Sequence, residues 1–302
     1  MIIAVFPGQG AQTPGFLTPW LALPDARERL SAYSEWAGVD LLAAGTEWDA
    51  DRIRDTRVAQ PLIVAASLLS WRALEDRGAI DGVAGHSVGE FAAAAAAGIL
   101  SDEDALRLVG IRGRAMAEAA AAEPSGMSAV LGGDAEAVLT RLAELGLTPA
   151  NHNGGGQIVA AGAAEALTAL SADPPARTRV IPLQVAGAFH TDFMAPAVEA
   201  LRTAASEVQP ADPERRIWTN RDGSEVTSGV GFMQTLVSQV ASPVRWDLCM
   251  AAFSDAGVSG LIEFSPAGTL TGLAKRALRG VPSVAVTSPE DLPAAADLAR
   301  GA

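Results

Sequence analysis

Cysteine and lysine are nearly absent from this chain. Cys249 is the single cysteine among 302 residues. No internal disulfide can form, and a reducing compartment, the cytoplasm, is expected. Lys275 is the only lysine, so the positive charge is carried almost wholly by arginine, and the formal net charge is -13. Nucleic-acid binders are usually basic, which disfavours that class. An acidic chain that handles anions must gather its few cations locally, so individual arginine positions carry information. Long apolar runs are also missing. Leu62–Leu69 and Phe91–Ala97 fall well short of the ~20 residues that cross a bilayer, and no membrane association is expected. Met1–Phe6 has no basic flank and meets Pro7 at once, which reads as a first strand and not as a secretory signal.

What is present is a globular composition, 49% apolar and 19% charged, long enough for one large core or two modest domains. Ile2–Phe6 is a β-type run ending in the turn Pro7-Gly8-Gln9-Gly10. Pro61–Asp76 reads as a helix, Gly82–Ala84 as a short strand, and Phe91–Ala97 as a helix of small residues. Ser101 is a candidate N-cap, with Asp102, Glu103 and Asp104 in the first turn of a helix reaching Ala122. From Gly126 the pattern becomes Met127–Leu131 strand, Asp134–Leu145 helix, Thr148–His152 strand, Gln157–Ala161 strand, Ala163–Ser171 helix and Arg179–Val185 strand. That β-α-β-β-α-β order is ferredoxin-like. The expected architecture is α/β: a parallel-sheet core formed by residues 1–125 and 186–302, with a small α+β domain inserted at 126–185.

Gly85-His86-Ser87-Val88-Gly89 matches the G-x-S-x-G elbow, in which glycines let a serine sit on a sharp strand-to-helix turn facing a helix N-terminus. Such a short pattern also describes an ordinary glycine-serine turn. A serine nucleophile needs a base, and the chain has three histidines. His86 neighbours Ser87 on a tight turn, where adjacent side chains point apart. His152 lies in the inserted segment. His190 lies at the return from it, where a distant base could come back over the elbow; a structural histidine is the competing reading. On the 101–122 helix, Ala105, Leu108, Val109 and Met116 share one apolar face, and Arg112 falls in its middle. An arginine there pairs either with an internal carboxylate or with a carboxylate-bearing substrate.

With these residues, the chain resembles the malonyl-CoA:acyl carrier protein transacylases of fatty-acid and polyketide synthesis. The resemblance spans nearly the whole length. It rests on Phe6-Pro7-Gly8-Gln9-Gly10, Gln60-Pro61, Gly85-His86-Ser87-Val88-Gly89-Glu90 and Arg112-Gly113. Further along come Asn153 with Gly156-Gln157, Gly187-Ala188-Phe189-His190, Asn220, Gln239 with Pro243-Val244-Arg245-Trp246, and Glu263-Phe264-Ser265-Pro266. Many relatives carry glycine at the Ser265 position, off the inferred chemistry. The resemblance implies a hydrolase-like α/β fold with a ferredoxin-like insertion. It implies Ser87 as the acylated nucleophile, His190 as its base, and Arg112 as the holder of the malonyl carboxylate. It places the Gln9 and Val88 amides in an oxyanion hole and makes Gln239 the residue whose carbonyl orients His190. Met116 and Asn153 fall with the substrate-binding positions. Phe189 is similar to malonyl-selecting members, as a wall against an α-methyl branch.

The implied reaction is ping-pong transfer of malonyl from malonyl-CoA to the phosphopantetheine thiol of an acyl carrier protein. Lys275 and Arg276, on an expected helix, resemble family carrier contacts; a solvated helix face is the competing reading. Neither a metal nor a redox cofactor is expected, since Gly8, Gly10 and Gly15 do not form the dinucleotide fingerprint. A monomer is expected. The rival functions are a serine esterase or thioesterase, which would share Ser87 and His190, and a non-catalytic carrier-binding scaffold.

Overall fold

The structure, a computed structural model, describes residues 1–301. Its strands are β1 (Ile2–Phe6), β2 (Gly82–Gly85), β3 (Ser125–Gly132), β4 (Thr148–Gly154), β5 (Gln157–Ala163), β6 (Thr178–Pro182), β7 (Arg216–Trp218), β8 (Gly260–Glu263) and β9 (Ser283–Ala285). They form two sheets. Five parallel strands run in the order β7-β2-β1-β8-β9, and four antiparallel strands in the order β4-β5-β3-β6.

The parallel sheet is covered on both faces, which is why β1, β2 and, up to the buried Glu263, β8 read as continuous apolar or small runs with every residue buried. Helices from the first third of the chain and the Asp102–Ala122 helix pack on one side, around Leu62, Leu68, Leu108 and Val109. Trp246, Phe253, Leu261 and Leu273 pack with Ile3 and Val5 on the other. The C-terminal ends of β1, β2, β7 and β8 converge on one edge. In open parallel sheets that is the edge where ligands bind.

Local signals explain most boundaries. Ser101 caps the Asp102–Ala122 helix by accepting from Asp104 N at 3.0 Å, and Asp134 caps Ala135–Glu144 through Ala137 N, also at 3.0 Å. Two elements depart from expectation by three residues or more. The helix expected at Pro61–Asp76 spans Thr56–Ala73, with Pro61 inside it. Asp55 caps it through Arg57 N at 2.9 Å, so the helix starts a turn and a half before the proline and forgoes one internal hydrogen bond there. The strand expected at Arg179–Val185 spans Thr178–Pro182. Pro182 has no N–H to continue the ladder, and the chain bends away after Leu183 N donates to Met127 O at 2.9 Å.

The four-stranded sheet carries the helices Ala135–Glu144 and Ala164–Ala172 and its own core of Val130, Val138, Leu142, Ala160 and Leu170. It joins the rest of the molecule where Asn151 bridges Val244 and His152 N donates to Val244 O at 2.9 Å.

Candidate active site

Ser87 follows β2 on a turn with φ 52°, in the left-handed region. The flanking glycines are required by close approach. A Cβ on Gly85 would lie 2.0 Å from Gly89 C, and one on Gly89 would lie 2.2 Å from Phe6 O. The elbow is thus pressed against β1 and against the first turn of the Gly89–Ala96 helix, whose N-terminus points at Ser87. Asn220, just beyond β7, braces it: Oδ1 accepts from Ser87 N at 2.7 Å, and Nδ2 donates to Gly85 O at 2.7 Å.

His190 comes back over this turn on the chain leaving β6. It also has a left-handed backbone, φ 62°, and is buried. Its Nε2 lies 2.7 Å from Ser87 Oγ and its Nδ1 lies 2.9 Å from the backbone carbonyl of Gln239. Because a carbonyl only accepts, Nδ1 carries the proton and Nε2 is free to accept from the serine. Burial, reinforced by the Arg112 charge, pushes the imidazole down to about 3, so it rests neutral. His86 does not compete for the serine. Its Nε2 lies 2.9 Å from Asn153 Oδ1, its ring packs edge-on against Trp246, and burial lowers its pKa.

Arg112 is 1% exposed. Among the described residues no carboxylate lies in direct salt-bridge reach of it; the internal carboxylate nearest in the network, Glu90, is linked to it only through the Gln239 amide. Nη1 donates to Gln60 Oε1 at 2.7 Å and Nη2 to Gln239 Oε1 at 3.0 Å, while Nε has no partner among the described residues. Gln60 Nε2 in turn donates to Met116 Sδ at 3.3 Å. Desolvation draws the guanidinium down to about 10, partly offset by the buried Glu90. A buried guanidinium with its Nε left over has donor capacity that a carboxylate could use.

Ser87, His190, Gln9, Phe189 and Asn153 line one cavity of about 190 Å³. Its walls include Met127, Val159 and Leu183, with Asn151 and Gln157 from the antiparallel sheet. Arg112 and Met116 do not line it; they sit deeper, joined to it through Gln239. Val88 is buried behind the serine, and neither its amide nor that of Gln9 has a protein acceptor among the described residues. Thr269, Leu270 and Leu273 of the Thr269–Ala277 helix form part of the rim. Lys275 and Arg276 are exposed on its last turn, with the Arg276 stem lying along Gly155. Glu263 holds this helix by accepting from Gly268, Leu270 and Thr271 N at 2.8–2.9 Å, which gives the Glu263-Phe264-Ser265-Pro266 motif a structural role.

Glu90, Asn220 and Gln60 belong to this network, although the sequence assigned them no task beyond motif membership. Glu90 carried a signal: a carboxylate heading a run of buried alanines must be paired or neutral.

Residues 3–292 match the family described as acyl transferase domain. The chain belongs to that family. It is 54% identical over 302 residues to a malonyl CoA-acyl carrier protein transacylase of Mycobacterium bovis, covering 99% of this chain and 100% of the relative. It is 33% identical over 303 residues to the enzyme of the same name from Escherichia coli strain K12, covering 97% and 98%. The crystal structure of the Mycobacterium tuberculosis transacylase superposes with a TM-score of 0.95 at 54% identity, covering 98% of this chain and 100% of that one. A type II polyketide malonyl-transacylase, solved in complex with its acyl-carrier protein, superposes with a TM-score of 0.91 at 31% identity, covering 98% and 99%. The expected α/β fold with a parallel core and a small antiparallel sheet is the fold of these acyl transferases. Among the described residues no helix is long and apolar enough to cross a membrane.

Proposed function

We propose that the protein is a malonyl-CoA:acyl carrier protein transacylase in which Ser87 carries the malonyl group. The observation that carries this reading is the meeting of Ser87 Oγ and His190 Nε2 at 2.7 Å beside the buried Arg112, whose guanidinium is hydrogen-bonded only to amide oxygens among the described residues. His190 takes the Ser87 proton as Oγ bonds to the thioester carbonyl carbon. The resulting oxyanion is received by the Gln9 and Val88 amides, donors of the kind whose loss costs about 100- to 1000-fold in rate. The intermediate collapses with rupture of the C–S bond, and His190 returns the proton to the departing CoA sulfur. The carrier's phosphopantetheine thiol then gives its proton to His190 and attacks the malonyl ester, and Ser87 recovers its proton on leaving.

Throughout both halves, Arg112 holds the malonyl carboxylate in bidentate fashion, with Gln60 and Met116 behind it. Phe189 closes the space beside the α-carbon. Asn151, Asn153 and Gln157 present amide groups suited to the two amides of the pantetheine arm. No residue of this scheme requires a metal or redox cofactor. Lys275 and Arg276 offer a basic rim at the cavity mouth to an acidic carrier protein, against a chain that is otherwise strongly acidic.

The experiment is incubation with malonyl-CoA and holo-acyl carrier protein, following malonyl-carrier and free malonate separately. Malonyl-carrier formed in step with CoA release is expected. Free malonate in its place would mean that water is the acceptor and the protein is an esterase.

A further inference from the structure

Glu90 and Arg112 are joined by a single amide. Glu90 is fully buried; its Oε1 accepts the Asn220 backbone N–H at 2.7 Å, and its Oε2 accepts Nε2 of Gln239. The other end of the same amide, Gln239 Oε1, accepts from Arg112 Nη2 at 3.0 Å. Gln239 Nε2 also donates to the Ser87 carbonyl at 3.1 Å.

An amide has one accepting and one donating end, and which end faces Arg112 decides whether the guanidinium meets an acceptor or two more N–H groups. When ionised, Glu90 accepts at both oxygens and permits only one orientation of the Gln239 amide; burial raises it to about 7, so the loading assays below are run above about pH 8. We propose that Glu90 is a positioning residue that fixes this orientation and so holds the Arg112 guanidinium where a substrate carboxylate can reach it. The inference rests on Arg112 being the carboxylate anchor.

Glu90→Gln tests it. The new NH2 must face either the Asn220 N–H or Gln239 Nε2, donor against donor. The Asn220 backbone cannot turn, whereas the Gln239 amide can. It then sets its own NH2 against Arg112, and the anchor loses one of its two acceptors. Glu90→Asp keeps both acceptor oxygens. Gln239→Met deletes the amide but leaves the backbone carbonyl beneath His190.

The measurement is the ratio of initial rates of Ser87 loading from malonyl-CoA and from acetyl-CoA, by intact-protein mass spectrometry, on wild type and the three variants. The ratio is expected to fall about tenfold or more in Glu90→Gln and Gln239→Met, as for loss of a hydrogen bond to a charged group. Glu90→Asp is expected to restore most of it. A role confined to fold stability would slow both acyl groups together. An unchanged ratio in either Glu90→Gln or Gln239→Met, whichever folds, overturns the proposal. Wild type that fails to load malonyl at all would instead overturn the anchor reading beneath it.

Discussion

The His190 ring and the Gln239 backbone meet at 2.9 Å, Nδ1–H against a carbonyl oxygen. A carbonyl cannot be protonated in the working range, so the tautomer of the base does not depend on a second titrating group. Because the backbone of Gln239 serves His190, its side chain remains available to Arg112, Glu90 and the Ser87 carbonyl. One residue thereby ties base, anchor and nucleophile turn into a single rigid unit, with the precision that acyl transfer demands.

Arg112→Ala is expected to lower malonyl loading by roughly 30-fold or more, matching the ~2–5 kcal/mol cost of truncating a buried, hydrogen-bonded charge partner. Acetyl loading should fall far less, reversing the preference. Arg112→Lys should not restore it, since an ammonium lacks the planar fork. Competition between malonyl-CoA and acetyl-CoA, read as the mass of the adduct, checks this.

Acid should destabilise the fold through its buried histidines. Burial holds His190 down at about 3 against an ordinary value of 6.5 and also lowers His86. The unfolded chain takes up these protons near pH 6.5 and the folded chain does not. Stability carried by the neutral rings is therefore present above pH 6.5 and lost as pH falls toward 3. Glu90 acts in the opposite sense: burial raises it to about 7 from 4.5, so it removes stability as pH rises through that interval. Melting temperatures taken from pH 6.5 to about pH 5 should fall more steeply for wild type than for His190→Gln. Parallel slopes would show that His190 does not stay neutral.

The elbow, the Ser101 cap and the β-α-β-β-α-β order were all legible in the sequence, because each is a short-range pattern set by glycine sterics, capping chemistry or periodicity. Arg112 was visible as a charge on an apolar helix face, though its partners were not. Gln60 and Gln239 are far from it in sequence, and an uncharged amide has no periodic or charge signature. Gln239 could be given its part only by resemblance, because a backbone carbonyl leaves no trace in residue type. The early start of the Thr56–Ala73 helix escaped because Asp55 caps it strongly enough for Pro61 to be tolerated inside.

Phe189 is 5% exposed and lines the cavity beside His190. Phe189→Ala should open space for one methyl branch and raise methylmalonyl loading relative to malonyl by about 10- to 200-fold, the usual worth of one methylene in a tight pocket. Loading assays with the two thioesters in separate reactions decide it, and an unchanged ratio would place the selecting wall elsewhere.

Lys275 and Arg276 lie exposed on the last turn of the helix whose earlier turns carry Thr269, Leu270 and Leu273 into the cavity lining. Reversing both charges to Glu should raise KM for the carrier protein and weaken its salt dependence, with malonyl-CoA loading of Ser87 little changed. Equal losses in both half-reactions would assign the pair to the helix's own stability.

The central claim is a malonyl ester on Ser87 chosen by Arg112, and intact-protein mass spectrometry after brief exposure to malonyl-CoA tests it most directly. Wild type should gain one malonyl group, Ser87→Ala none, and an acetyl-CoA control should label wild type far more slowly. Malonyl labelling that persists in Ser87→Ala, or equal labelling of wild type by acetyl-CoA, would contradict the account.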